Sequence, residues 1–183
     1  MPPHRTADQE FEAALTGLIP RMRAFASSLC RDSAMADDLT QNALARAWKA
    51  RASFTPGSNL KAWLFKILHN QFLSDRSRTW KMEPLDEADA GFSTFPEADS
   101  SLEVDELRRA LMRLSAEQRE ALVLVAVAGC GYDEAALICG CPVGTLKSRV
   151  SRARVNLLNM LDLDRPRTVR EERSVTPRIV GAG

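Results

Sequence analysis

In the stretch CPVGTLKSRVSRAR, Cys141 to Arg154, the cations Lys147, Arg149, Arg152 and Arg154 crowd together with no acid among them. Guanidinium and ammonium groups donate to guanine acceptors and to phosphate oxygens, and the hydroxyls of Ser148 and Ser151 can donate or accept at either kind of partner. The chemistry on offer is therefore recognition of a nucleic-acid duplex. A solvated basic face on an ordinary surface helix is the competing reading, because a short basic motif taken alone has a real false-positive rate.

A second basic stretch lies between Gln41 and Lys81: Arg46, Lys49, Arg51, Lys61, Lys66, Arg76, Arg78 and Lys81 stand against Asp75 alone. Trp48, Phe54, Trp63, Phe65, Phe72 and Trp80 are interleaved with these cations. Bases that have lost their stacking partners can stack on aromatic rings while cations neutralise the backbone, so this combination suits single-stranded or melted DNA. Each tryptophan taken singly is more readily read as core.

Catalysis finds little support. The two histidines are His4, near the N-terminus, and His69, and no Ser, Cys or Asp stands in a recognisable nucleophile or phosphate-loop setting. Cys130, Cys139 and Cys141 lack the spacing of paired zinc ligands, and with Cys30 they read as free thiols packed like small hydrophobes. No metal, cofactor or catalytic residue is expected.

The formal charge of the whole chain is +1, so any attraction to nucleic acid must come from these local patches. No apolar run is long enough for a membrane span, and MPPHRTADQEFEA lacks the apolar core of a secretory signal; a cytoplasmic protein is the expectation.

Helices must position the two basic stretches. Phe11, Leu15, Leu18, Met22, Phe25 and Leu29 step by three and four, and Pro20 predicts a break or kink there, with a second helix opening at the proline. Leu39, Ala43 and Ala47 mark a helix that the acidic pair Asp37 and Asp38 would begin. Leu60, Trp63, Leu64, Ile67 and Leu68 fit the helical template with one deeply buried face. From Glu83 to Glu106 there are nine acids and no Lys or Arg, with Pro84, Gly91 and Pro96 interspersed, which reads as a flexible linker. Helical periodicity resumes at Leu107. Ser115 to Gln118 offers a capping box ahead of a further helix, and two more follow on either side of Gly140 and Cys141.

Two helices joined by a short glycine-containing turn form a helix-turn-helix, whose second helix enters the major groove. At about 100 degrees per residue, Leu146, Val150, Ala153, Leu157 and Leu161 share a core side. Lys147, Ser148, Ser151 and Arg152 then project toward base edges, and Arg149 and Arg154 flank them, placed for phosphates.

The segments DDLTQNALARAWKA, NLKAWLFKILHN, the acidic linker, LSAEQREALVLV and GYDEAALICGCPVGTLKSRVSRAR, in that order, resemble the extracytoplasmic-function (group 4) sigma factors of bacterial RNA polymerase. The alphaproteobacterial general-stress branch is the most similar. The resemblance implies an all-α chain of two small helical domains: sigma region 2 at 8–81, an acidic linker at 82–106, sigma region 4 at 107–162, and a loose tail at 163–183. It further implies docking on RNA polymerase core, at the largest-subunit clamp helices and the flap, through Asp38, Leu39, Gln41, Arg46 and Trp48. The family commonly has an acid where this chain has Asn42.

Minus-10 recognition and melting fall by resemblance on Lys61, Trp63, Lys66, His69, Asn70 and Gln71. Minus-35 reading falls by resemblance on Lys147, Ser148, Ser151 and Arg152, the residues that projection also selects, with Arg149 and Arg154 beside them for the phosphates. Promoter DNA and a small helical anti-sigma factor that clamps the domains are the further partners implied, with no membrane partner. The alternative is a sigma-like decoy that binds an anti-sigma factor without reading a promoter; such mimics carry an additional phosphoreceiver domain, for which the two helical domains leave no room, and the intact basic helix argues against it.

Overall fold

The computed structural model describes residues 7–30, 32–82 and 102–164. Among them the regular elements are helical, arranged as two lobes. The acidic stretch 83–101 and the tail from 165 onward, both read as loose in the sequence, lie outside the described residues, as do the side chains of Arg78, Trp80 and Lys81.

The first lobe is built from α1 (Ala7–Leu29), α2 (Ser33–Lys49), a 3-10 turn (Arg51–Ser53) and α3 (Leu60–Met82). Helix α1 runs through Pro20 without ending, contrary to the expected division. The proline is exposed, and removing one backbone donor there is tolerated because Leu15 on one side and Met22, Phe25 and Ala26 on the other are held in the same core. Helix α2 starts a turn earlier than Asp37 and Asp38 suggest. Asp32 is the cap, accepting from the Ala34 N–H at 3.0 Å, and Ala36 extends the buried stripe of Leu39, Ala43 and Ala47. Asp37 instead takes a two-pronged contact from Arg23 of α1, at 2.9 and 3.1 Å. Asn59 caps α3 by accepting from the Ala62 N–H at 3.0 Å.

The second lobe comprises α4 (Leu102–Met112), α5 (Ala116–Ala126), α6 (Tyr132–Cys139) and α7 (Val143–Asp164). Helix α4 begins at Leu102, so the last part of the segment read as linker is helical. Acidic side chains at a helix N-terminus are favourable, which periodicity alone does not register. Ser115 caps α5 as expected, accepting from the Gln118 N–H at 3.3 Å. Leu124, Ile138, Leu146, Val150 and Ala153 close the core between α5, α6 and α7.

The lobes are not separate. Helix α1 packs against α5 and α3 against α6, and the two apolar cores merge into one cluster. This explains why α3 buries more than the single face its periodicity predicts: Leu64 and Leu68 are buried, and so are Phe65, His69 and Gln71.

Candidate nucleic-acid interface

The turn before α7 sets the direction of the basic helix. Gly140 sits at φ 66° and ψ 35°, the left-handed conformation that a side chain disfavours, and its N–H donates to the Ala136 carbonyl to close α6. At the other end of α6 the Gly131 N–H donates to Glu134 Oε2 at 2.9 Å, so this short helix is fixed at both termini. Helix α7 then buries Leu146, Val150 and Ala153, and half-buries Leu157 and Leu161. The predicted core stripe is in place.

Away from that stripe Lys147, Ser151 and Arg152 are exposed, and Arg154 is exposed at its flank. Ser148 is half-buried and donates from Oγ to the Thr145 carbonyl at 2.8 Å, keeping its lone pairs available. Arg149 is half-buried, with Nη2 3.1 Å from Glu117 Oε2 of α5. The Lys147 ammonium lies 5.9 Å from the centre of the Tyr132 ring of α6. Glu117 and Tyr132 were not singled out in the sequence, since neither belongs to the basic motif; both act by holding its cations in place.

The α3 residues fare differently. Asn70 is exposed. Trp63 is half-buried in an aromatic cluster, its ring centre 5.3 Å from that of Phe54 and 6.3 Å from that of Phe11, while Phe65 packs at a tilt against Phe25 in the core. Lys61 donates to the Gly129 carbonyl and pairs with Glu134 at 3.3 Å. Lys66 donates to the Leu137 and Ile138 carbonyls at 3.0 and 2.9 Å. His69 is buried with Nε2 2.6 Å from Glu120 Oε1, and Gln71 is buried and donates to Asp75. Five of the six side chains expected to meet DNA thus face protein, and three of those five, Lys61, Lys66 and His69, face the second lobe.

On α2, Asp38, Gln41, Arg46 and Trp48 are exposed. Leu39 does not join them: it is 5% exposed and belongs to the core, because its position on the helix aligns with Ala36, Ala43 and Ala47. The Arg51 guanidinium lies over the Trp48 ring at 4.6 Å, and Phe11 supports the ring from the other helix.

The four cysteines are free thiols, Cys30 and Cys130 buried and Cys139 and Cys141 half-buried. Burial pushes the Cys30 thiol up to about 11, helped by the charges of Asp32 and Asp75. Burial likewise raises Cys130 to about 11, with Glu134 adding to the shift and Lys61 and Arg21 opposing it. Cys139 is raised as well, by burial first and then by Glu120. Thiols held neutral in this way are poor nucleophiles.

Comparison with known proteins places these two faces in a family. Residues 16–82 match the family model Sigma-70 region 2, and residues 105–157 match Sigma-70, region 4. The chain is 49% identical over 148 residues to the ECF RNA polymerase sigma factor EcfG of Rhodopseudomonas palustris, a match spanning 80% of this chain and 82% of that one. Among solved structures, the sigma factor RpoE in complex with the anti-sigma factor NepR from Bartonella quintana superposes with a TM-score of 0.75 at 43% identity, covering 85% of this chain and 99% of the other. CnrH in complex with the cytosolic domain of CnrY superposes with a TM-score of 0.61 at 26% identity, over 87% and 90% of the two chains. No described helix is long and apolar enough to cross a membrane.

Proposed function

The chain belongs to the extracytoplasmic-function sigma factors of the sigma-70 family, and from that premise we propose that it brings RNA polymerase core to stress-type promoters in the cytoplasm. It acts without catalysing a reaction. Region 2 would dock on the clamp helices through Asp38, Gln41, Arg46 and Trp48, and capture the melted minus-10 strand along α3 around Asn70. Region 4 would read the minus-35 duplex with α7. An anti-sigma factor is the expected regulator, since solved relatives are complexes with NepR and CnrY.

One observation carries the DNA-reading part: Lys147, Ser151, Arg152 and Arg154 stand exposed on the helix that follows a left-handed glycine turn, while Leu146, Val150 and Ala153 of the same helix are buried. Nothing in the packing of region 4 requires four polar or cationic residues there, whereas a major groove does.

Run-off transcription with purified core polymerase on a library of stress-type promoters tests this reading. The expected result is a promoter-specific transcript that depends on the full-length chain and disappears when Lys147 and Arg152 are both replaced by alanine. Absence of any promoter-specific transcript with folded protein overturns it.

A further inference from the structure

Helix α6 ends and α7 begins around a pair of free thiols. Cys139 is the last residue of α6, and Cys141 follows it with Gly140 alone between them. The Cys141 N–H donates to the Ala136 carbonyl at 3.1 Å, and the Gly140 N–H donates to the same oxygen, so two bonds to one acceptor fix the turn.

The torsions of Gly140, φ 66° and ψ 35°, are close to the mirror image of helical values. A residue with helical torsions of either hand holds the Cα atoms on its two sides about 5.4 Å apart, as the radius, rise and twist of the α-helix require. Disulfides form at Cα separations of about 4.4 to 6.8 Å, so this backbone already brings Cys139 and Cys141 within bonding range. In an uninterrupted helix two residues so spaced would not face each other, and the change of hand at Gly140 removes that restriction.

The surroundings of the two sulfurs differ. Gly140 and Pro142 are exposed on either side of Cys141, and no heavy atom lies within 4 Å of where a Cβ of Gly140 would stand, so small solutes can approach the turn. Cys139 is held inward. Its thiol donates to Glu120 of α5, whose Oε1 lies 2.6 Å from His69 Nε2, and it feels the charges of Cys141 and of Arg149 on α7. A thiol kept neutral by burial does not begin an oxidation, but with a carboxylate on its proton it can complete one. Cys30 and Cys130, 5% and 4% exposed, are shielded from solvent.

We propose that Cys139 and Cys141 are a reversible dithiol–disulfide pair that takes a hydroperoxide as oxidant and alters the setting of α7 on duplex DNA. The Cys141 sulfur attacks hydrogen peroxide; an S–O bond forms as the O–O bond breaks, giving a sulfenic acid and one water. The Cys139 sulfur then attacks the Cys141 sulfur, its proton passes to Glu120, and the departing hydroxide takes that proton as a second water. Two thiols lose two electrons and the peroxide gains them. A dithiol reductant reverses the bond by exchange. Closing the bond draws the Cys139 sulfur away from Glu120 and pulls on Pro142, whose carbonyl accepts the Leu146 N–H at 3.0 Å in the first turn of α7. Lys147 and Ser148 follow directly. The effect on DNA rests on the assignment of α7 to the minus-35 duplex.

The test uses the full-length chain, treated with hydrogen peroxide and then with dithiothreitol, beside Cys141→Ala and Cys139→Ala. Mass spectrometry of proteolytic fragments locates the loss of two hydrogens, and fluorescence anisotropy on a fluorescein-labelled promoter duplex from the run-off library follows binding. The expected result is a Cys139–Cys141 disulfide with Cys30 and Cys130 still thiols, duplex binding weakened by about fivefold or more, as for one lost base contact, and recovery of both on reduction. Cys141→Ala should keep its affinity in peroxide. Cys139→Ala should stop at the Cys141 sulfenic acid, which dimedone traps.

Folded protein that keeps both thiols in peroxide, or that carries its disulfide elsewhere, overturns the pair and leaves the promoter reading standing. A Cys139–Cys141 bond with unchanged duplex affinity overturns its hold on α7. Reduced chain that binds no promoter duplex sinks the assignment of α7 and the coupling with it, while the mass spectrum still decides whether the pair forms.

Discussion

Arg149 of α7 and Glu117 of α5 form an ion pair that ties the second helix of the helix-turn-helix to the helix before it, Nη2 to Oε2 at 3.1 Å, with the arginine half-buried and the glutamate largely exposed. The pair steers a cation at the edge of the DNA-reading face toward the protein. Because Glu117 is solvated, the attraction is worth little to stability. Its effect should appear in binding. Glu117→Ala is expected to free Arg149 for a phosphate, so that the slope of log K against log salt on duplex DNA steepens by about 0.9 while the preference among promoter sequences stays the same. Salt titrations of the full chain on specific and random duplexes measure both, and an unchanged slope would show that Arg149 stays bound to protein.

Arg152 and Arg154 are both exposed, yet they occupy different sides of α7. Arg152 lies on the side away from Leu146, Val150 and Ala153, where base edges are reached, and Arg154 lies at the flank. Arg152→Ala should weaken promoter binding by about 1 to 3 kcal/mol and relax the sequence preference at one position. Arg154→Ala should lower affinity by a similar factor on every sequence. Competition binding against a substituted promoter set distinguishes them; the reverse pattern would exchange the two roles.

Leu146 is 0% exposed at the point where the basic helix meets α5 and α6. Leu146→Ala removes buried methyl groups and leaves a void that the turn at Gly140 cannot collapse, so about 2 to 5 kcal/mol of stability should be lost. Urea unfolding of the full chain followed by circular dichroism gives the value. A loss well under this range would mean that α7 is seated less deeply than its burial indicates.

The helices and the basic face of α7 were legible in the sequence because both depend on near neighbours: a stripe at spacing three and four, a glycine at a turn, cations without acids. Pro20 misled because a local rule, one lost hydrogen bond, was outweighed by the shared core of Leu15, Met22 and Phe25. Leu39 was assigned to a docking surface by resemblance although its alignment with Ala43 already placed it inside. What could not be read was the use made of Lys61, Lys66 and His69. Their partners Glu134, the α6 carbonyls and Glu120 are distant in sequence, and backbone carbonyls as acceptors leave no mark on composition.

The Glu134 carboxyl is one of these hidden partners, and its titration has a definite sign. Burial alone would raise its pKa, but the Gly131 N–H, the Lys61 ammonium and the Asn59 amide together hold it below the usual 4.5. A carboxyl depressed in the folded state contributes stability that is present above the unfolded value and is lost as pH falls through the folded one. The difference in stability between the native chain and Glu134→Gln should therefore be constant from about pH 8 to about pH 5 and shrink only below 4.5. Paired urea titrations across that range check it; a difference that vanished already near neutrality would mean that Lys61 does not hold the carboxylate.

The buried thiols give the opposite window. Cys30 and Cys130 are each raised from 9.0 to about 11, chiefly because burial disfavours the thiolate. A group whose folded pKa is raised contributes stability that is complete below the unfolded value and is lost as pH climbs through the folded one. The fold should therefore weaken between pH 9 and 11, by about 2 to 3 kcal/mol for each thiol if the whole shift is realised. Below that window, at pH 8, a thiol reagent added to native protein should leave Cys30 and Cys130 unmodified and reach them only after unfolding, because neutral buried sulfur is a weak nucleophile. Alkaline solution acts on more of the chain than its thiols, so the decisive comparison is with Cys30→Ala. Its stability, measured by urea unfolding at successive pH values, should fall less steeply through the window than that of the native chain. Parallel slopes would assign the alkaline loss to groups other than Cys30.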